Sequence, residues 1–294
     1  MTISNASPIG FVGTGSMGGA VAMRWLAGGQ RLCILAGPRR SNTDALVQAG
    51  AREAGSAEEV GACDLVVTCL PSSEVVERVS RDVILPAVRP GSIHLDLTTG
   101  DPRVGMDLAR AYEARGAHYV DGAILGAPEQ AVAGELTIML GAASELAERL
   151  RTPLAAVARR VLPMGPTGAA HRARLIMGFI GMATAAASAE ALVAATHAGI
   201  ALPTFAELLG ETGMTSSTFQ AMAAAAIDGD EARRKLSLGN AAENTRCLAA
   251  LMEDLGVAAP VARATAQTFR EAVAQGHADA FVPALTRLKR GTPA

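Results

Sequence analysis

The chain has few aromatic residues and few cysteines, which excludes a core packed mainly by aromatic rings and a cysteine-based zinc site. Only 3% of its 294 residues are aromatic although half are hydrophobic, so alanine, leucine and valine must supply most of the core packing. The cysteines lack the paired spacing of a zinc site, and no metal is predicted. Small buried apolar cysteines are typical of a reducing cytoplasm, which is the location we expect. The four cysteines are Cys33, Cys63, Cys69 and Cys247.

An excess of charge of either sign is also missing. The formal net charge is -2 at pH 7 and the sequence pI is about 6.2, which favours neither a nucleic-acid partner nor an anionic membrane surface. The first residues lack the cationic and apolar segments of a signal peptide. The longest uncharged apolar run, residues 175–189, is shorter than the roughly 20 residues of a bilayer span. We therefore expect a small-molecule substrate and no membrane.

A glycine-rich turn lies in residues 8–19, PIGFVGTGSMGG. A short apolar strand precedes the turn and a helical pattern follows it. Glycines in this context allow a tight turn, the close approach of a pyrophosphate to a helix N-terminus, and close helix–strand packing. The pattern predicts a dinucleotide site. Its predicted cofactor-binding residues are Gly13, Thr14, Gly15, Ser16, Met17 and Gly18.

The segment after the second predicted strand (31–36) indicates which dinucleotide binds. NAD-binding versions place an acidic residue here to hold the ribose 2′-hydroxyl, and this chain has none. It has Arg39, Arg40 and Ser41 instead, and guanidinium groups suit a 2′-phosphate. The segment predicts NADP(H), and the alternative is an ordinary solvated basic loop.

Strand and helix patterns alternate through the first half of the chain. This predicts an α/β fold with a Rossmann-type, doubly wound parallel sheet, in which ligands bind at the carboxyl ends of the strands. Further cofactor contacts are therefore predicted at Leu70, Pro71, Ser72, Thr98 and Thr99. Predicted strands lie near 51 and at 64–70, 92–97, 117–121, 134–141 (a sheet edge) and 160–163, and predicted helices at 42–49, 74–85, 102–115 and 144–150.

The second half of the chain predicts helices only. Pro163, Gly165 and Pro166 interrupt the pattern, which divides the chain into a dinucleotide-binding domain (1–165) and an all-α domain for substrate and dimerisation (166–294). The first helix (167–197) would be roughly 45 Å long. Because its central part is apolar or small on every face, we expect it to be buried against a second subunit in a homodimer. Further helices are predicted at 203–209, 215–226, 232–255, 260–275 and 279–289.

Four segments resemble the β-hydroxyacid dehydrogenases and the related imine reductases. They are GFVGTGSMGGAVA, DLVVTCLPSSEVVERV, HLDLTTGDP and VDGAILGAPEQAVAGELTIMLGA, in the family's order. The resemblance implies a nicotinamide-binding domain, a helical domain, a dimer, and hydride transfer in an interdomain cleft. The subfamily stays open, because DGAILGAP is similar to imine reductases and GELTIMLGA to the hydroxyacid enzymes.

The substrate side departs from the hydroxyacid pattern. The resemblance places Arg174 where those enzymes carry a lysine that polarises the carbonyl and shuttles the proton. Arginine stays protonated, so it would orient a substrate or stabilise an oxyanion rather than exchange a proton. The family's carboxylate-binding Ser-Gly-Gly becomes Leu125, Gly126 and Ala127, its helix asparagine becomes Met177, and a later Lys-Asp pair becomes Glu243-Asn244. The resemblance also places Thr98 and Thr99 beside the nicotinamide.

Two further residues are catalytic candidates beside Arg174. His171 lies three residues before Arg174, so both can share a helix face, and an imidazole can donate a proton near neutral pH. The alternative is a partly exposed histidine at a helix start. Glu243 is either a buried acid or a surface carboxylate, and Asn240 and Asn244 lie near it at helical spacing.

The sequence thus predicts an NADPH-dependent oxidoreductase that transfers hydride to a C=N or C=O carbon and is imine reductase-like. A 3-hydroxyacid dehydrogenase of the same family is the first alternative. A non-catalytic NADPH-binding protein is the second, since a fold alone does not establish catalysis.

Overall fold

A computed structural model describes residues 7–290, so residues 1–6, on which the expectation of no signal peptide partly rests, lie outside it. The chain divides between Arg174 and Leu175 into two compact units. The division lies inside the long helix, whereas the sequence suggested a boundary at Gly165, before that helix.

The first unit is built on an eight-stranded sheet with the order β3-β2-β1-β4-β5-β6-β7-β8. Neighbouring strands are parallel except β6 and β7. This confirms the predicted doubly wound α/β fold. The strands are β1 (Ile9–Val12), β2 (Leu32–Leu35), β3 (Arg52–Glu53), β4 (Leu65–Thr68), β5 (Ile93–Asp96), β6 (His118–Leu125), β7 (Leu136–Gly141) and β8 (Ala158–Gly165).

The predicted position of one strand at the sheet edge is wrong. The strand predicted over 134–141 is β7, which lies between β6 and β8 and is almost wholly buried. The edge belongs to β8, which is longer than predicted and largely exposed. The apolar run of β7 suits a strand inside the sheet, which is covered on both faces.

Within residues 7–165, seven α-helices alternate with the strands of the sheet. They are α1 (Ser16–Ala27), α2 (Arg40–Gln48), α3 (Ala57–Gly61), α4 (Ser73–Val79), α5 (Pro102–Glu113), α6 (Pro128–Ala133) and α7 (Ser144–Ala155). The sequence did not predict α3 and α6, because helices this short show no clear period. The single helix predicted over 74–85 is α4 followed by a π-helical segment, Ser80–Ile84.

The second unit is helical, as predicted. Its longest helix, α8 (Ala169–His197), begins in the first unit. The helix predicted over 232–255 is a 3₁₀ turn, Glu231–Arg233, followed by an α-helix that begins at Leu238. The one predicted over 279–289 is a 3₁₀ turn, Val282–Ala284, followed by an α-helix that begins at Leu285. The other helices are α9 (Leu202–Glu211), α10 (Ser217–Asp228), α11 (Leu238–Asp254), α12 (Pro260–Ala274) and α13 (Leu285–Arg290).

One helix within residues 7–290, α8, is long and apolar enough to cross a membrane by length and composition. Its most apolar window has a mean hydropathy of 1.6 and is 33% buried. Core helices of soluble proteins meet the same test, so this finding is weak support for a membrane span.

Candidate functional site

The glycine-rich turn between β1 and α1 has the geometry of a phosphate-binding loop. Gly13 adopts a φ of +108°, and a Cβ there would lie 2.2 Å from the Cys69 carbonyl oxygen. A Cβ on Gly18 would lie 2.0 Å from the Gly13 oxygen. Gly15 precedes the first turn of α1, and among the described residues a Cβ on it would meet no atom within 4 Å. The loop is thus closed against the protein and open at Gly15, which fits a dinucleotide pyrophosphate approaching the N-terminus of α1.

The remaining predicted residues of this turn frame the opening. Ser16 and Met17 form the first turn of α1, which has no acidic residue to repel a phosphate. Thr14 is buried, and its carbonyl oxygen accepts a 2.7 Å hydrogen bond from the Asn42 amide of α2. This bond ties the glycine-rich turn to the segment that follows β2.

The segment after β2 carries the predicted phosphate-binding residues on the surface. Arg39, Arg40 and Ser41 are exposed at the start of α2, whose first turn has no acidic residue. Arg40 donates hydrogen bonds to Glu53 at 2.7 Å and to Asp44 at 2.8 Å. Arg39 forms no ion pair within the described part of the chain. Arg40 is therefore paired with carboxylates, whereas Arg39 is not paired with any described carboxylate.

The loops that follow β4 and β5 are joined by a hydrogen bond. Thr98 is buried, and its hydroxyl accepts a 2.9 Å bond from the Leu70 amide. Ser72 caps α4 at the Val75 amide, and Pro71 beside it is exposed. Thr99 is exposed as well. The structure thus brings the predicted residues of these two loops together, with the Thr98 side chain engaged in holding them.

A buried carboxylate below this junction was missed in the sequence analysis. Asp96, at the end of β5, is 1% exposed. It accepts hydrogen bonds from the Thr68 hydroxyl at 2.8 Å, the Thr98 amide at 3.0 Å and the Tyr119 hydroxyl at 2.8 Å. Four acceptor positions on one carboxylate can satisfy three donors. Asp96 therefore fixes the turn that carries Thr98 and Thr99.

The same network continues to a fully buried histidine. His94 lies 2.9 Å from the Thr68 hydroxyl through Nε2 and 2.8 Å from the Tyr112 hydroxyl through Nδ1. Because the Thr68 proton is donated to Asp96, Nε2 must donate to Thr68. Burial favours the neutral imidazole, whose Nδ1 then accepts from the Tyr112 hydroxyl. Burial lowers the pKa of His94 from 6.5 to about 4 and raises the pKa of both Tyr112 and Tyr119.

The neutral state of His94 predicts a pH dependence of stability. His94 charges near pH 6.5 in the unfolded chain and near pH 4 in the folded one, so its contribution is complete above pH 6.5 and is lost as the pH falls towards 4. We expect this residue to lower the free energy of unfolding by about 3 kcal/mol over that interval. Urea titrations followed by fluorescence of Trp25, the sole tryptophan, measure it.

His94→Gln should reduce this dependence between pH 6.5 and 4, because glutamine does not titrate. His118→Gln, at the half-buried start of β6, is the matched control and should keep the wild-type dependence. Equal dependence in the wild type and His94→Gln would contradict the assignment.

The start of α8 is held by a second buried carboxylate. Asp121 of β6 is 0% exposed and accepts hydrogen bonds from the amides of Gly168 at 2.6 Å and His171 at 2.9 Å. It lies over Gly141 of β7, where a Cβ would be 2.0 Å from its Oδ1. A negative charge at a helix N-terminus is stabilised by the helix dipole. Asp121 thereby sets the position of the first turn of α8.

His171 is 2% exposed, so the alternative of a partly exposed histidine is wrong. The backbone amide of His171 donates to Asp121, and the His171 ring packs near Gly100 and Gly105. Neither ring nitrogen has a hydrogen-bond partner among residues 7–290. Arg174 follows one turn later and is partly buried. Both residues remain predicted catalytic groups.

The other predicted substrate residues lie in both units. In the first, Leu125 ends β6, Gly126 has a φ of +143°, and the Ala127 amide donates a 2.9 Å hydrogen bond to Gln130. In the second, Met177 is 40% exposed on α8. These residues remain predicted substrate contacts.

Helix α11 of the second unit carries the last three predicted residues. Glu243 is exposed and pairs with Arg246 at 2.6 Å. Of the two alternatives, it is therefore a surface carboxylate and not a buried acid. Asn240 is exposed and Asn244 is partly buried. Within residues 7–290, no group of three or more His, Cys, Asp or Glu side chains is placed to hold a metal ion.

A Rossmann sheet with an open glycine turn after its first strand defines the class of dinucleotide-binding proteins. Residues 8–165 match the family model described as the NAD binding domain of 6-phosphogluconate dehydrogenase. The chain belongs to the 3-hydroxyacid dehydrogenase family of oxidoreductases, as its resemblance to the β-hydroxyacid dehydrogenases implied. It is 31% identical to the NAD-dependent L-serine dehydrogenase of Pseudomonas aeruginosa over 68% of each chain.

Two solved structures show the same fold. One is 3-hydroxyisobutyrate dehydrogenase of Mycobacterium tuberculosis with L-serine, at 24% identity, a TM-score of 0.85, and coverage of 99% of this chain and 100% of the other. The other is a variant imine reductase of Myxococcus stipitatus with NAD⁺, at 22% identity, a TM-score of 0.65, and coverage of 96% and 99%. Both likenesses show that the fold of this chain is shared with a hydroxyacid dehydrogenase and with an imine reductase.

Proposed function

We propose that this protein is an NADPH-dependent reductase that acts on the C=N carbon of a small-molecule imine. The proposal rests on the resemblance, which places Arg174 at the position of the family's proton-shuttling lysine and gives residues 125–127 no carboxylate-binding serine. An iminium carbon is already electrophilic, so hydride transfer to it needs no lysine to polarise a carbonyl. The net reaction converts imine, NADPH and a proton to amine and NADP⁺.

The preference for NADPH is supported by the segment after β2. It offers Arg39, Arg40 and Ser41 and has no carboxylate in the first turn of α2. Guanidinium groups form charge-assisted hydrogen bonds with phosphate, and the ribose 2′-hydroxyl of NADH would lack its acidic partner here.

The protein's own residues would bind the cofactor, and they would orient and protonate the substrate. When bound, NADPH supplies the hydride. The backbone around Gly15 would hold its pyrophosphate, and Thr99 would lie on the turn that faces the nicotinamide. His171 would donate the proton that converts a neutral imine to an iminium, and Arg174 would orient polar groups of the substrate through its fixed charge.

A 3-hydroxyacid dehydrogenase is the second candidate, favoured by the identity to a serine dehydrogenase. In that reaction Arg174 would stabilise the developing oxyanion. Cofactor oxidation with cyclic imines, and cofactor reduction with 3-hydroxy acids, separates the candidates. Turnover of imines supports the proposal. Turnover of hydroxy acids alone overturns it, and tight NADPH binding without turnover favours the non-catalytic alternative.

Arg174→Ala is expected to lower kcat about 100-fold, the effect of removing one preorganised charged donor, with little change in the Kd of NADPH. Arg172→Ala is the matched control, since Arg172 lies on the same helix and contacts the Met106 sulfur at 3.5 Å. Stopped-flow turnover and cofactor titration measure the two quantities. Unchanged turnover in Arg174→Ala would remove this residue from the site.

We further propose a cytoplasmic homodimer that uses α8. All four cysteines are free thiols, which suits a reducing compartment. Ile176 and Ile180, one turn apart on α8, are 40% and 65% exposed, and a partner subunit would cover this apolar face. Sedimentation of a stable monomer at micromolar concentration would contradict the dimer.

A further inference from the structure

Arg40 is held by two carboxylates. Its Nη1 and Nη2 donate to the two Glu53 oxygens at 2.7 Å each, a bidentate pair, and its Nε donates to Asp44 at 2.8 Å. These bonds raise the pKa of Arg40, and the bonds from Arg40 lower the pKa of Glu53. Each guanidinium nitrogen of Arg40 is thus already engaged with a carboxylate.

Arg39 differs from Arg40 although the two are adjacent. It occupies the N-cap position of α2 with extended backbone, is exposed, and has no carboxylate within ion-pair distance in the described part of the chain. Its guanidinium can meet an incoming phosphate without releasing another partner.

The position of Glu53 follows from the sheet. It lies on the edge strand β3, paired in register with Ile34 of β2. The segment that carries both arginines follows β2 directly, so Glu53 reaches Arg40 from the neighbouring strand. A 2′-phosphate contacting Arg40 would compete with the carboxylate that now holds it.

We infer that Glu53 and Asp44 are specificity-determining residues that lower the preference for NADPH over NADH, with Arg39 as the main phosphate contact. This inference rests on the proposed NADPH-dependent function. Two effects act in the same direction. Arg40 must exchange Glu53 for the phosphate, and the two carboxylates repel the phosphate dianion through the solvent.

Calorimetric titration of the whole protein with NADPH and with NADH, without substrate, tests the inference. Glu53→Gln should tighten NADPH binding about threefold to fivefold, the range of an exposed ion pair, and leave NADH binding unchanged. Arg39→Ala should weaken NADPH binding about tenfold or more, again without an effect on NADH. Both shifts should shrink at high salt, because the groups are exposed.

Glu59→Gln is the matched control. It removes the same charge from a residue that pairs with Arg52, the other residue of β3, so it should change NADPH binding little. An unchanged NADPH affinity in Glu53→Gln, or an equal gain for NADH, would overturn the inference. If neither dinucleotide binds the wild type, the proposed function itself fails.

Discussion

Gly15→Ala is expected to weaken NADPH binding on the order of 100-fold while leaving the stability of the first unit nearly unchanged. A methyl group at Gly15 would meet no described atom within 4 Å, and the residue's φ of -70° suits alanine. The added methyl would instead occupy the space through which a pyrophosphate reaches the N-terminus of α1. Cofactor titration and urea unfolding followed by Trp25 fluorescence measure the two effects.

Gly18→Ala, in contrast, should destabilise the first unit. Its Cβ would lie 2.0 Å from the Gly13 carbonyl oxygen, so the helix must move and the first unit should lose about 3 kcal/mol. Gly19→Ala is the neutral control, since its Cβ would make an ordinary 3.5 Å contact. If Gly15→Ala binds NADPH like the wild type, the pyrophosphate does not lie over this turn.

Asp121→Ala is expected to destabilise the first unit by about 3–5 kcal/mol, because two buried amides, those of Gly168 and His171, lose charge-assisted hydrogen bonds. Gly141→Ala should have a comparable effect without altering Asp121 itself, since the new methyl would displace the carboxylate. Trp25 is 0% exposed in α1, so its fluorescence reports unfolding of this unit.

Asp101→Ala is the matched control for Asp121. It also removes an aspartate that caps a helix, at the Arg103 amide of α5, but at a partly exposed position, and should cost about 1 kcal/mol. Equal losses in the two variants would show that burial of Asp121 adds nothing. Arg174 lies one turn beyond the capped turn, so surviving Asp121→Asn protein should also show reduced turnover.

The fold class could be predicted because its signals are local and repeated. The glycine turn at Gly13–Gly18 and the alternating strand and helix patterns each depend on residues close in sequence. Short helices such as α3 and α6 escaped prediction, since five or six residues do not establish a period. The position of β7 inside the sheet also escaped, because strand order is decided by contacts between distant segments.

The candidate site, too, could be predicted from the sequence only in part. The phosphate-binding turn and the basic segment at Arg39–Ser41 could be located from the sequence. The roles of Asp96, His94, Tyr119 and Asp121 could not, because, apart from the Thr98 amide beside Asp96, the partners that define these roles are 18 to 50 residues away along the chain. Their only signal was the presence of polar residues within apolar strands.

By itself, the sequence determined that this protein has a dinucleotide-binding sheet followed by helices, because backbone geometry at glycines and the period of apolar residues are encoded locally. Only the tertiary structure decided which charged groups are free to act. Arg39 and Arg40 are alike in sequence, yet Arg40 is held by Glu53 from another strand. Burial, likewise, made His94 neutral and turned Asp121 into a helix cap, since desolvation and hydrogen bonding depend on neighbours that folding brings together.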